Sequence, residues 1–346
     1  MKRLILFINC FILVFGGLFF LNARCLEAIT LSPPVIEAEI GRGEAGSLKF
    51  RVYNDTKQTK LYYLSKGDFK AKGEDGQAEF FDEGETDGSY SLAGWINLPG
   101  KQVALDPGQW ADVVLTIEVP QNAEPGGHYG VIFFSDLPFW IQRNESSGVG
   151  IGTRVAALIL VKVDGEVEER GAIEEFAIIN KKRFYSHKPI NFSVKFSNQG
   201  NVHLKPEGEI EIRNMFGKKL SELTLIETFD EQEEKIGMEK LDYLPVNFSR
   251  SNVLPQSTRK FEVVWASDLF QEESSFLANL GKEFRDFRVG RYTFEIKMRY
   301  GDSREEATYP GIAVWFFPWR LLLTIFVFFG LLFWIARWTK AKISVN

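Results

Sequence analysis

From residue 29 to about 164, apolar and polar positions alternate in short runs divided by glycine, proline and aspartate. Ser47–Asn54 (SLKFRVYN) alternates residue by residue, the period of a strand with one buried face. Val35–Ile40, Leu61–Leu64, Trp95–Leu98, Val113–Val119, Tyr129–Ser135 and Val155–Val163 read as further strands. Turns fall between them at Asp106-Pro107-Gly108, Glu124-Pro125-Gly126-Gly127 and Gly148-Val149-Gly150. A parallel sheet would need crossover helices, and no long amphipathic helix breaks this order. The pattern predicts a β-sandwich.

The pattern resumes from 166 to 310, with strands predicted at Pro189–Ser197, Gly208–Arg213, Lys218–Ile226, Arg259–Trp265 and Arg291–Tyr300. The acidic stretch Glu227–Lys240 and the segment Ser267–Arg288 break the rhythm and read as insertions. The second has room for a short helix around Phe276–Phe284, and Glu231–Glu234 reads as a solvated loop.

Both ends are apolar without alternation. Lys2 and Arg3 precede an apolar run from Leu4 to Leu21, with Ala23 and Ala28 as small-residue cleavage points. This is the layout of a signal peptide over residues 1–28, with an uncleaved anchor as the alternative. A lipoprotein reading of Cys25 is disfavoured by Arg24 before it. At the other end Leu321–Ala336 carries no charge, and an apolar lead from Ile312 to Trp319 precedes it. A helix rising about 1.5 Å per residue needs about 20 residues to cross a bilayer, so the predicted span covers 316–336. Trp315 and Trp319 at one end, with Trp334 and Trp338 at the other, match two interfacial belts. The tail 337–346 carries Arg337, Lys340 and Lys342 and no acid, which places it in the cytoplasm. The predicted topology is single-pass type I, with an extracytoplasmic ectodomain.

A net charge of −5 argues against a nucleic-acid partner, which needs a basic surface. The two cysteines, Cys10 and Cys25, both fall in the leader, so the mature ectodomain has no thiol for disulfides, catalysis or zinc. His128, His187 and His203 show no metal-ligand spacing, and no Gly-x-Ser-x-Gly elbow is present. The reading is non-enzymatic, without cofactor or metal. Acidic loops at Gly73–Gly76 and Asp82–Gly88 lack EF-hand spacing and read as solvated turns.

Four residues are candidates for ligand contact: His128 and Tyr129 after the Pro-Gly-Gly turn, and Trp95 and Trp110 as stacking surfaces. The bland alternatives are a tight turn leading into a strand, and tryptophans buried in the sandwich core.

Several segments together resemble the WxL-interacting surface proteins of Gram-positive bacteria. They are Leu31-Ser32-Pro33-Pro34, Phe50–Thr56, Asp68-Phe69, Leu105–Gly108, Val119-Pro120 and Pro125–Tyr129. The resemblance implies a peptidoglycan-binding first domain. The expected fold is all-β: two immunoglobulin-like sandwiches, 29–165 and 166–310, plus one C-terminal transmembrane helix. The expected function is a membrane-anchored scaffold holding a cell-wall polymer or an envelope protein; the alternative is a chaperone-like assembly factor for surface structures, and behind it a wall-active enzyme.

Overall fold

The computed structural model describes residues 29–85, 88–138, 153–220, 224–229, 235–266 and 275–343. Residues 1–28, where a signal peptide was expected and where both cysteines fall, and the acidic run 231–234 lie outside the described residues, as does the glycine turn expected at 148–150. The fold is all-β, two immunoglobulin-like sandwiches followed by one long apolar helix. The chain divides into two compact units. One is drawn from Met1–Asp68, Asp82–Asn122 and Tyr129–Val161; the other from Phe69–Phe81, Ala123–His128 and Lys162–Asn346.

The first sandwich has a four-stranded sheet ordered β1 (Ile29–Ser32), β3 (Ala45–Asn54), β8 (Trp110–Glu118), β6 (Ile96–Asn97). Its other sheet runs β2 (Val35–Ile40), β10 (Arg154–Val163), β9 (Gly126–Ser135), β4 (Lys60–Lys72), β5 (Gln77–Asp82), with β7 (Gln102–Leu105) also on β4. Alternation turns Phe50 and Val52 inward from β3, and Leu115 and Ile117 inward from β8, all at most 1% exposed. Strand β9 is buried along its whole length and has no polar face. Asp68 on β4 is buried as well. Its carboxylate accepts from the amides of Leu92 (2.9 Å) and Ala93 (2.8 Å) and from Ser91 Oγ (2.6 Å), fixing the loop before the 3-10 turn Ala93–Trp95.

The second sandwich pairs a three-stranded sheet, β11 (Gly171–Ile178), β13 (Ile190–Asn198), β18 (Ser257–Trp265), with a five-stranded one. The latter runs β12 (Phe184–Tyr185), β20 (Glu305–Phe316), β19 (Gly290–Tyr300), β14 (Glu207–Arg213), β17 (Leu244–Val246). The acidic stretch expected as an insertion carries a hairpin, β15 (Thr224–Phe229) with β16 (Lys235–Leu241), that forms a two-stranded sheet of its own. Ile190, Phe192, Val194 and Phe196 alternate into the core from β13, each 0% exposed. Trp265 sits among them, edge-on to Phe294 (centroids 5.5 Å apart) and Phe316 (5.8 Å). Each such aromatic contributes about 1.5–3 kcal/mol through burial.

Buried asparagines staple the loops by one repeated device. Asn54 Nδ2 donates to Gln58 O, four residues on, and to Leu105 O, while its Oδ1 accepts from Thr56 N. Asn198 likewise donates to Val202 O and Val253 O and accepts from Gly200 N. Asn247 donates to Ser251 O and Pro206 O. Each side chain satisfies backbone groups that a buried corner would otherwise leave unpaired.

Candidate functional site: an open strand edge and the root of the terminal helix

Strand β8 is paired along its whole length on one side, from Trp110↔Tyr53 to Glu118↔Ala45. On its other side stands only the two-residue β6, opposite Ile117 and Thr116. From Trp110 to Leu115 that edge faces no paired strand among the described residues. Its backbone N–H and C=O groups form a template for an added strand.

Side chains beside this edge are organised. Trp110 is 48% exposed and Val114 47%, both on the outer face with Asp112. The Trp110 ring lies 4.5 Å from that of Tyr53, and the Arg51 guanidinium stands over it at 5.9 Å. Asp112 pairs with Lys49 (2.8 Å) and Arg51 (3.2 Å). Hydrogen bonds from Lys49, then Arg51, hold its carboxyl below the usual carboxylate range. The face therefore offers an aromatic platform, an apolar side chain and a cluster of one carboxylate with two cations along six residues of open strand.

The other sequence candidates sit elsewhere. His128 is buried, 3% exposed, with Nε2 3.0 Å from Glu124 O. Tyr129 is buried on β9, its ring 6.2 Å from Tyr90, and its amide donates to Tyr90 O at 2.8 Å. Trp95 is half-buried at the end of the 3-10 turn. The structure thus brings Trp95 and Tyr129 to the Asp68-held loop, and places Trp110 on the outer face of the opposite sheet. The parity of β8 already carried that signal: Val113, Leu115 and Ile117 point inward, so Trp110, Asp112 and Val114 must point out. Carboxylates in the acidic turn Gly73–Gly76 are engaged by lysines, Glu74 by Lys195 (2.8 Å) and Asp75 by Lys260 (3.1 Å).

A second constellation was not legible in sequence. β20 ends at Phe316, 1% exposed, and two residues later helix α2 (Trp319–Ile343) begins. The apolar lead Ile312–Trp319 is therefore mostly a core strand, and the helix starts only at Trp319. Trp315 N and Phe317 N donate to Arg183 O and Tyr185 O, both at 2.8 Å, so strand pairing with β12 continues to the helix. Helix α1 (Phe276–Arg285), in the segment where a short helix was expected, is capped by Ser275, whose Oγ accepts from Ala278 N.

Glu283 on α1 is 0% exposed and holds the start of α2. Its Oε1 accepts from Arg320 Nη1 at 2.9 Å, and its Oε2 accepts from Leu321 N at 2.9 Å. A carboxylate at a helix N-terminus meets both unpaired amides and the positive end of the dipole. Arg320 Nη1 also donates to Ser186 Oγ at 3.2 Å. In the core of the same sandwich, Lys188 and Arg288 stand over the Trp265 ring at 4.9 and 4.8 Å. Arg288 Nε bonds Asp286 Oδ1 at 3.0 Å; burial nevertheless pushes the Asp286 carboxyl up, against the pull of Lys188.

Within α2, the 21 residues Trp319–Thr339 are long and apolar enough to cross a membrane, and none is buried against the protein. Close by, α1 exposes Leu277 and Phe284, spaced seven apart on one face.

No family model matches this chain, and no curated protein matches it. Among solved structures, it is similar to a chaperone–tip adhesin complex of CFA/I fimbriae biogenesis (13% identity, 84% of this chain, 99% of that one, TM-score 0.36). It is also similar to the class 5 fimbriae chaperone CfaA (14%, 84% and 100%, 0.35). A third is the CsuC–CsuE chaperone–tip adhesion subunit complex from archaic chaperone-usher Csu pili of Acinetobacter baumannii (11%, 83% and 98%, 0.33). These findings overturn the expected kinship with WxL-interacting proteins. No family model supports it, and the three solved structures named here are fimbrial chaperones or their complexes, not WxL-interacting proteins. Peptidoglycan binding and a cell-wall polymer as partner lose their support with it.

Proposed function

We propose that this chain is a membrane-tethered, non-catalytic assembly factor of the cell envelope, which holds an extended segment of an envelope protein against β8. The observation that carries the reading is the open edge Trp110–Leu115. Strand addition draws affinity from main-chain hydrogen bonds and specificity from alternate side chains, and Trp110, Asp112 and Val114 supply the alternate positions here. The charges of Asp112, Lys49 and Arg51 beside the edge discourage indiscriminate pairing between copies, as edge charges do in natural sheets.

In this reading α2 is the tether, with the sandwiches outside and the Arg337 end in the cytoplasm. The exposed apolar face of α1 next to the start of α2 suits a position at the bilayer surface. Because β20 leads into α2 through two residues, the second sandwich is held at the membrane without a flexible linker.

The test is co-purification. The full chain is extracted from its own membranes beside a Trp110→Ala/Val114→Lys variant. The proposal expects one envelope protein to accompany the wild type and to be lost from a variant with unchanged thermal unfolding. Equal recovery with both would overturn it.

A further inference from the structure

A cavity of about 860 Å³ opens where the second sandwich meets the first residues of α2. Lys182, His187 and Arg320 line it, and among the described residues no aspartate or glutamate does. Trp315 and Trp319 form part of the wall, and Trp319 is also the first residue of the apolar span. With that span in a bilayer, the cavity lies at headgroup depth, where tryptophan is enriched. Tyr185 lines it too, and its buried hydroxyl has no hydrogen-bond partner among the described residues. Burial pushes this hydroxyl up, so it stays protonated and able to donate. An orphaned buried donor is costly unless an acceptor meets it.

We propose that this cavity seats the phosphate headgroup of an anionic phospholipid from the surrounding leaflet, an assignment that rests on α2 crossing the membrane. A phosphodiester supplies the acceptor that Tyr185 Oη lacks and the negative charge that Lys182 matches. Arg320 gives Glu283 and Ser186 bonds from Nη1, and a guanidinium carries five donors in all. Phe184 and Phe317, 70% and 55% exposed, offer apolar surface for the glycerol end of the chains. Cavities of about 300–1,000 Å³ suit ligands of this size.

The test uses the full chain reconstituted in phosphatidylcholine vesicles with and without phosphatidylglycerol, then extracted gently and weighed by native mass spectrometry. Wild type is expected to retain phosphatidylglycerol over phosphatidylcholine. Tyr185→Phe/Lys182→Ala is expected to retain about tenfold less, the change given by about 1.4 kcal/mol of binding. Lys182→Arg should restore retention in the Tyr185 background. Chain that floats with the vesicles but retains equal lipid in wild type and variant overturns the cavity assignment alone. Chain that fails to float overturns the membrane reading and the assignment with it. Displacement of the retained lipid by inorganic phosphate as readily as by phosphatidylglycerol identifies a free-phosphate site and overturns the lipid assignment.

Discussion

Replacing Glu283 by alanine removes two interactions at once, and the structure sets the size of each. The carboxylate is wholly buried, whereas its partner Arg320 keeps 20% of its side-chain surface. Breaking a fully buried ion pair costs about 3–5 kcal/mol. Partial access of Arg320 to water lowers this to about 2–3 kcal/mol. Loss of the bond from Leu321 N removes a helix cap, about 1 kcal/mol more. The expected total is about 3–4 kcal/mol. Glu283→Gln keeps the volume and an acceptor for Leu321, and should lose about half as much. The cost should appear locally, because Glu283 joins α1 to the first turn of α2 while the Trp265 core lies apart from it. Hydrogen exchange of the detergent-solubilised chain reads this directly. Amides of α1 should exchange at least a hundredfold faster in Glu283→Ala, since about 1.4 kcal/mol is a factor of ten. A Glu283→Ala/Arg320→Ala double variant should fall short of additivity by about 1–3 kcal/mol. Unchanged exchange in α1, or strict additivity, would refute the clamp.

Asn198→Ala removes the side chain that accepts from Gly200 N and donates to Val202 O and Val253 O; the loss should be about 3 kcal/mol, seen as a lower denaturant midpoint. Phe192→Ala, in the centre of the second core, should cost about 3–5 kcal/mol by the same measurement. Asp112 is held below its ordinary range, so its contribution is present above the unfolded-state value and is lost as pH falls through the folded one. The melting temperatures of wild type and Asp112→Asn should therefore converge in acid and separate as pH rises through the carboxylate range.

The sandwich architecture was legible wherever one face of a strand is wet. β3 and β13 alternate cleanly because Lys49 and Arg51, or Asn191 and Lys195, point away from the phenylalanines between them. Other elements follow rules that a period of two does not express. The second half of β4 carries polar residues because one of them, Asp68, is buried to hold a loop, so only Leu61–Leu64 stood out. The end of β20 merged with the terminal helix in sequence, since a core strand and a long apolar helix look alike there and only backbone pairing to Arg183 and Tyr185 separates them. The hairpin β15–β16 was hidden by its acids. Of the candidate site, Trp110 could be found from the parity of β8, whereas His128 was singled out by its glycines and lies buried against Glu124 O. The Glu283–Arg320 clamp joins residues 37 apart in the chain and has no local signature.

The central claim is that β8 receives a partner strand at its open edge. Photo-crosslinking in intact cells tests it position by position, with the reactive side chain placed at Val114 on the edge or at Phe216, an exposed turn residue. The account predicts adducts between one envelope protein and the chain at Val114, abolished by Trp110→Ala, with none at Phe216. Adducts at Phe216 without any at Val114, or Val114 adducts only to a second copy of this chain, would contradict it.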